Sequence, residues 1–155
     1  MSRKILSKED LDKMILRIIQ DNPKISLGEL SRELGVPKAT VYYRLKNLES
    51  LGYIKGYRAI LNAERLGFDY HTITLVRGRY GRDYHEILGE FLSTLPYVQS
   101  VYYVLGDIDF VVIAKSPNRE EFMKLLNQMI SNPYVERTST MVAIKIYKED
   151  PKLFI

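Results

Sequence analysis

Apolar residues recur at helical spacing in three successive segments of the first sixty residues. The first segment places five of them on one helical face, namely Leu11, Met14, Ile15, Ile18 and Ile19. Ser7 can cap this helix, with Asp10 three residues later, and Asn22-Pro23 ends it. These positions predict an amphipathic helix that packs against a second element.

Two further helices follow with only a tight turn between them. The second helix is predicted from a capping pair at Ser26 and Glu29 to Gly35, with Leu27, Leu30 and Leu34 as its buried edge. The third begins after Val36-Pro37 and ends at Gly52, with Val41, Leu45, Leu48 and Leu51 facing inward. Two helices joined by such a turn, behind a supporting helix, predict a helix-turn-helix motif. In that motif the helix after the turn enters the major groove of DNA.

The remaining side chains of the third helix have the chemistry to contact DNA. They are Lys38, Ala39, Thr40, Tyr42, Tyr43, Arg44, Lys46 and Asn47. Basic side chains suit phosphates and guanine edges, an asparagine pairs with adenine, and small methyl-bearing residues meet thymine methyls. One tyrosine is expected under the helix and the other against the DNA backbone, but the sequence does not say which. A helical hairpin with a solvated polar face is the alternative interpretation.

After the third helix, residues 52–61 predict a short strand that leaves the DNA-binding module. Lys55 and Arg58 would extend its positive surface. Residues 62–67 then form a linker, so we expect one domain over residues 1–61 and a second over residues 68–155.

The second half of the chain alternates between strand and helix patterns. Strands are predicted at 72–80, 98–105 and 110–115, and a last strand carries Thr138, Thr140, Val142, Ile144 and Ile146 on one face. One helix has the stripe Ile87, Leu88, Phe91, Leu92 and Leu95 and ends at Pro96. The other is capped by Asn118 and has the stripe Phe122, Leu125, Leu126, Met129 and Ile130.

The element order β-α-β-β-α-β predicts a ferredoxin-like arrangement, and the whole chain is therefore of the α+β class. Helices cover only one face of such a sheet. The other face would carry apolar and aromatic residues such as those of 101–104, and an exposed apolar face usually marks an interface. Dimerisation through the sheet is the simplest prediction, and a two-fold pair suits two DNA half-sites.

Charge and composition narrow the function classes. Residues 1–60 hold 12 Lys and Arg against 7 Asp and Glu, a net charge of +5, whereas residues 61–155 hold 11 against 12, a net charge of −1. We therefore expect a polyanion partner for the first half, because clustered cations release the counterions of phosphates when they bind. With no cysteine and two histidines, disulfides, thiolate zinc sites and a histidine-rich metal site are excluded, and no cofactor is expected.

The distribution of apolar residues also bears on location. No run of eighteen apolar residues is present, and no long apolar stretch follows the first cations. We therefore expect neither a membrane span nor a secretory signal, and predict a cytoplasmic protein associated with the chromosome.

The motifs of both halves resemble one known family. Residues 34–49 with 52–54, the turn region 104–110 and the final strand region 135–146 are similar to the leucine-responsive regulator (Lrp/AsnC) family, also called feast/famine regulators. The similarity covers about residues 7–148. It implies a transcription regulator that dimerises through its C-terminal domain, with dimers often assembling into octamers, and in which an amino acid or related small molecule binds between dimers.

Carried onto this chain, the resemblance implies an effector site at a turn and a facing strand. The turn residues are Gly106, Asp107 and Asp109, and the strand residues are Thr138, Ser139 and Thr140. Carboxylates can bind an ammonium group, and hydroxyls or a backbone N–H can bind a carboxylate. Arg137, beside this region, could pair with an acidic ligand. The segment 77–82 is more basic than the family pattern and is interpreted as a solvated loop rather than a DNA contact.

Other interpretations of the turn are open. Gly106-Asp107 also fits a two-residue hairpin turn without a ligand, because glycine supplies the unusual dihedral angles. Asp107 and Asp109 could form an acid-base or metal pair, but no nucleophile or histidine lies near them in sequence, so no enzyme is expected.

Three functions are therefore compared. A sequence-specific DNA-binding regulator ranks first. An architectural protein that wraps DNA with little sequence or effector specificity ranks second, and a small-molecule-binding metabolic protein ranks third.

Overall fold

The chain folds into two units, which a computed structural model describes for residues 7–155. Residues 7–60 and 150–155 form the first unit, and residues 61–149 form the second. Among the described residues, no helix is long and apolar enough to cross a membrane.

The first unit is built from three helices, α1 (Lys8–Asp21), α2 (Leu27–Leu34) and α3 (Lys38–Ser50). Their apolar faces meet in one core, formed by Leu11, Ile15, Ile19, Leu30, Leu34, Val41 and Leu48. Burial of these side chains holds the helices together, since isolated helices of 8 to 14 residues are marginal in water. The predicted helix-turn-helix is confirmed.

Local capping explains where these helices begin and end. The Ser7 hydroxyl accepts the Asp10 N–H at 3.1 Å, and Ser26 and Glu29 form a reciprocal capping box. Gly35 ends α2 with a φ of 66°, in the left-handed region that other residues avoid. The sequence predicted each of these boundaries because capping depends on a few neighbouring residues.

Two predictions for the segment after α3 are wrong. Leu51 is 63% exposed rather than inward, because α3 ends at Ser50 and Leu51 is already its cap. Residues 52–61, predicted as a strand, form none, because a strand requires a paired backbone and no described strand pairs with this segment. The predicted linker instead contains a 3₁₀ turn at Glu64–Leu66, which Gly67 ends.

The segment 152–155 packs against α1 and belongs to the first unit rather than to the second, where the sequence had placed it. The Gln20 side-chain amide makes two hydrogen bonds to the backbone of Leu153, donating at 3.3 Å and accepting at 2.7 Å. Lys152 pairs with Asp21, and Arg17 donates to the carbonyl of Ile155. The chain therefore passes between the two units twice, near residue 60 and near residue 150.

The second unit is one antiparallel sheet with two helices. Its elements are β1 (Tyr70–Gly78), α4 (Tyr84–Thr94), β2 (Val98–Tyr103), β3 (Phe110–Ser116), α5 (Arg119–Ser131) and β4 (Val135–Val142). The strand order is β2-β3-β1-β4, which is the ferredoxin-like arrangement. Val76 lies opposite Phe110 on one side and Thr138 on the other. The predicted fold class is confirmed.

Strand ends differ from prediction by a few residues. Strand β1 spans 70–78 rather than 72–80, and β2 ends at Tyr103 rather than at 105. Strand β4 ends at Val142, so Ile144 and Ile146 lie beyond the strand instead of on its face. The alternation of apolar and polar residues continues in sequence beyond the strand, whereas the strand itself ends where its backbone is no longer paired. The pattern therefore locates a strand end only to within a few residues.

The two faces of the sheet have different environments. On one face the helices cover Val76, Val112 and Ala114, each at most 1% exposed. Side chains alternate along a strand, so the opposite face carries Ile73, Leu75, Val111 and Ile113. No helix of this unit covers that face. Tyr102 and Met141 are about half exposed there, at 54% and 50%. The expected open apolar face is present, but Val101 and Tyr103, which were predicted on it, pair with Val112 and Phe110 and therefore lie on the helix side.

Gly78 sits where the end of β1 meets α4, and we predict that Gly78→Ala destabilises the fold. A Cβ at this position would lie 2.8 Å from Cε2 and 3.0 Å from Cδ2 of the buried Tyr84 ring. Overpacking of this kind costs about 1–3 kcal/mol. Thermal or urea unfolding measures the change in the free energy of unfolding.

Gly81→Ala is the matched control for this substitution. Its added Cβ would have an ordinary contact of 3.6 Å with Tyr134 Cε1. Equal stability changes for the two variants would show that the close approach at Gly78 relaxes without cost.

Candidate nucleic-acid interface and effector site

The outward face of α3 forms a continuous stripe opposite the core. At 3.6 residues per turn, Ala39, Tyr43, Lys46 and Ser50 recur on one side of the helix. Val41 and Leu48, at 0% and 2% exposure, occupy the opposite side. Tyr43 lies in the middle of the stripe and is 70% exposed, against 44% for Tyr42. The structure thus gives Tyr43 the more accessible ring of the two.

The flanks of the stripe are exposed and polar. Lys38, Thr40 and Asn47 are all exposed. Lys46 pairs with Glu49 at 2.7 Å, and this hydrogen bond raises the pKa of Lys46. Because surface ion pairs contribute little, a phosphate can replace Glu49 as the partner of Lys46 at small cost.

Arg44 differs from the other predicted DNA-binding residues, since it faces α1. Its Nε donates to Asp12 Oδ1 at 2.7 Å, and its Nη2 donates to Asp12 Oδ2. The hydrogen bond to Asp12 is the largest cause of a raised pKa for Arg44. The guanidinium that was predicted to contact DNA is therefore already engaged by a carboxylate.

The turn between β2 and β3 is longer than a two-residue hairpin. Val104 N–H donates to the Asp109 carbonyl at 2.8 Å, which leaves four residues between them. Gly106 has a φ of 153°, which favours glycine, and Asp107 is exposed. The two-residue hairpin interpretation is wrong, and Asp107 is accessible to a solute.

Asp109 is buried and acts as a connector between three segments. It is 7% exposed, and its two carboxylate oxygens accept the Gly78 N–H at 2.7 Å and the Tyr84 O–H at 2.9 Å. Burial and then the hydrogen bond to Asp109 raise the pKa of the Tyr84 phenol, so this group remains a donor at neutral pH. Asp107 and Asp109, two positions apart in the predicted motif, thus occupy different environments.

The predicted strand residues of the effector site lie two strands away from the turn. Asp109 directly precedes β3 and Thr138 lies in β4, and because β1 separates these two strands they are about 10 Å apart. Thr138 and Thr140 are half-buried on the helix side, where Thr140 Oγ1 lies 3.0 Å from Thr74 Oγ1. Ser139 is exposed on the opposite face. One chain therefore does not bring the two halves of the predicted site into contact.

The basic segment 77–82 is mostly a loop that leads into α4. Arg79 and Arg82 are exposed, and the Nε atom of Arg77 lies 3.9 Å from Oε2 of Glu136. Arg77 is directly opposite Arg137 across β1 and β4. Within residues 7–155, no group of three His, Cys, Asp or Glu side chains could hold a metal ion.

Three residues that matter for these sites were not identified from the sequence. Asp12 engages Arg44, while Gly78 and Tyr84 engage Asp109. Gly78, at the end of an alternating segment, carried a weak signal, since glycine in a strand often marks a close approach. The other two contacts join residues 25 and 32 positions apart and have no local signature.

Comparison with known families identifies the class of each unit and then the family. A family model described as winged helix-turn-helix DNA-binding matches residues 8–55. A second, described as the Lrp/AsnC ligand binding domain, matches residues 71–153, more than half of the chain. The chain belongs to the Lrp/AsnC family of DNA-binding transcription regulators. The resemblance identified from the sequence is confirmed.

Individual relatives agree with this assignment. An uncharacterized HTH-type transcriptional regulator of Pyrococcus furiosus is 35% identical over 145 residues, covering 94% of this chain and 97% of the relative. The HTH-type transcriptional regulator FL11 of the same organism is 34% identical, covering 94% and 95%. The solved complex of a Neisseria meningitidis transcriptional regulator with L-Met superposes with a TM-score of 0.86 at 25% identity, covering 96% of each chain. The relatives are regulators rather than enzymes, as expected from the sequence.

Tyr84 provides a test of the Asp109 connector. Tyr84→Phe leaves one oxygen of the buried carboxylate without its phenol donor, and we expect a loss of about 1–3 kcal/mol in the free energy of unfolding. Denaturant unfolding at neutral pH measures it. Tyr80→Phe, at a tyrosine that is 72% exposed, should change the stability little. A Tyr84→Phe variant as stable as the parent would show that the phenol contributes nothing to the connector.

Proposed function

We propose that this regulator binds specific operator sequences as a homo-oligomer and that a free amino acid controls it. The observation that carries the DNA half of the proposal is the stripe on α3, which presents Tyr43 and Lys46 outward from a helix whose opposite side is buried. The proposal also places the protein in the cytoplasm, where it acts on chromosomal DNA.

The contacts expected of α3 divide by chemistry. Lys38 and Lys46 suit phosphates, whereas Asn47, Ala39 and Thr40 suit base edges and methyl groups in the major groove. Tyr43, the more exposed of the two tyrosines, is expected to stack on sugar or to donate to a phosphate. This division predicts that lysine substitutions change affinity on all sequences and that Asn47 substitutions change sequence preference.

The open sheet face supports self-association. Ile73, Leu75, Val111 and Ile113, with the half-exposed Tyr102 and Met141, form one apolar patch there, and the same face of a second copy can pack against it about a two-fold axis. A dimer of this kind would present two copies of α3 to two half-sites about one helical turn apart. Further association of dimers into an octamer is the extension that the family resemblance implies.

The effector site is proposed to combine segments from different copies of the chain. Supporting this, Asp107 is exposed on the turn, and β1 separates the turn from Thr138, Ser139 and Thr140. Asp107 would bind the ammonium group of an amino acid, and the hydroxyls of Thr138 and Thr140, which share one face of β4, would bind its carboxylate. Gly106 lets the backbone of the turn approach the ligand, and Asp109 holds the turn in place. The complex of the Neisseria regulator with L-Met supports the choice of an amino acid as ligand class.

The DNA-binding face is tested by substituting its central residues. Tyr43→Ala and Lys46→Ala should each weaken binding to an operator duplex without lowering the unfolding midpoint, because both side chains point away from the core. For Lys46→Ala, the slope of log affinity against log salt should become shallower by about 0.9 if it contacts one phosphate. Fluorescence anisotropy titrations over a range of salt concentrations measure both quantities.

Lys13→Ala, which removes the same charge from the exposed surface of α1, is the matched control and should leave affinity nearly unchanged. Equal losses for Lys13→Ala and Lys46→Ala would indicate that only net charge matters. Equal affinity of the parent protein for operator and random DNA would favour the architectural, DNA-wrapping alternative.

The effector proposal is tested by the thermal unfolding midpoint in the presence of each of the twenty amino acids. A ligand at about one hundred times its dissociation constant stabilises the folded protein by roughly 2.7 kcal/mol, which gives a measurable rise in the unfolding midpoint. The rise should be lost in Asp107→Ala and reduced in Thr138→Ala, because both contribute polar partners.

Asp69→Ala is the control, since Asp69 is an exposed carboxylate next to the opposite end of β1. It should keep the full response. A response that survives Asp107→Ala would contradict the proposed site, and no response to any amino acid would contradict the proposed ligand class.

A further inference from the structure

Arg44 of α3 and Asp12 of α1 join these two helices through paired hydrogen bonds. The Nε and Nη2 donors of one guanidinium bind the two oxygens of one carboxylate. This bidentate arrangement is planar, so it restrains the rotation of the two groups as well as their distance. The contact spans 32 positions in sequence and lies outside the apolar core.

The surroundings of the pair distinguish it from the other ion pair on α3. The side chains of Arg44 and Asp12 are only 24% and 20% exposed, whereas Lys46 is 56% exposed in its pair with Glu49. A shielded pair is less weakened by salt than an exposed one. The Lys46 pair lies within α3 and cannot restrain the helix against a neighbour, whereas the Arg44 pair can.

The direction of Arg44 argues against a role as a DNA contact. Around the axis of α3, Arg44 is about 100° from Tyr43 and about 160° from Lys46. A helix that turns Tyr43 and Lys46 toward DNA therefore turns Arg44 toward α1. The orientation of the stripe depends on how α3 is rotated against α1.

We infer that Arg44 is a positioning residue for DNA binding, which acts through Asp12 by holding α3 in the rotation that presents Tyr43 and Lys46 to DNA. This inference rests on the proposed function of α3 as the DNA-reading helix. It gives a supporting role in DNA binding to Asp12, an acidic residue that would oppose DNA binding if it acted only through its charge.

If Arg44 positions α3 through Asp12, the Asp12→Ala variant should bind DNA more weakly; if Arg44 contacts DNA directly, the same variant should bind as tightly as the parent or more tightly. If Asp12 holds Arg44 in place, Asp12→Ala weakens operator binding although it removes a negative charge. We expect Asp12→Ala and Arg44→Ala each to weaken affinity about five- to ten-fold, at the lower end of typical coupling between sites. The salt slope should stay unchanged in both, and the double variant should bind no more weakly than the weaker single variant, because both remove one interaction.

The assay also includes conservative and control variants. Asp12→Asn keeps one acceptor and Arg44→Lys keeps the charge, so both should bind with intermediate affinity and remain folded. Far-ultraviolet circular dichroism measures the helix content of every variant. Lys46→Ala serves as the phosphate-contact standard, whose salt slope should decrease by about 0.9 while helix content is unchanged.

Two results would overturn the inference. One is an Asp12→Ala variant that binds DNA as tightly as the parent or more tightly. The other is an Arg44→Ala variant whose salt slope decreases as that of Lys46→Ala does, which would make Arg44 a phosphate contact. Either result leaves the proposed function intact if the parent protein binds operator DNA. Failure of the parent to bind any duplex at low salt would instead overturn the proposed function itself.

Discussion

The buried carboxylate of Asp109 holds together one end of the second unit. It joins the β2–β3 turn to the last residue of β1 and to the first residue of α4 through the Gly78 N–H and the Tyr84 O–H. A carboxylate that is buried loses hydration, and these two hydrogen bonds offset that loss. Because the ring of Tyr84 packs against the Cα of Gly78, neither residue can change without disturbing the other.

The first unit depends in a similar way on α1. Its buried face supplies Leu11, Ile15 and Ile19 to the core, Asp12 binds Arg44 of α3, and Gln20 binds the backbone of Leu153. One helix thus contacts the recognition helix and the segment that returns from the second unit. A supporting helix is often regarded as packing alone, but α1 also makes polar contacts outside the apolar core. Of these polar contacts, only the pair of Asp12 with Arg44 joins α1 to α3, and it adds a directional contact to the apolar core.

Particular residues show which features could be predicted from sequence. Ser26, Glu29 and Gly35 set the ends of α2 through contacts within a few residues, and such contacts are visible in the sequence. The ferredoxin-like order also followed from the succession of strand and helix patterns. The exit strand was wrong because pairing depends on a neighbour that local pattern does not reveal. Among the predicted site residues, Arg44 and Asp109 have partners that are distant in sequence, and this decides which way their side chains point.

The sequence by itself determined the helix-turn-helix, the element order of the second unit, the position of the cationic surface and the membership of the Lrp/AsnC family. These follow from spacing, capping residues and charge, which act over short stretches of chain. Tertiary structure alone decided that Tyr43 is more exposed than Tyr42, that Arg44 binds Asp12, and that β1 separates the turn from Thr138. It also decided that residues 150–155 belong with the first unit. The reason is physical: the environment of a side chain depends on residues that folding brings next to it, and their distance along the chain carries no information about that contact.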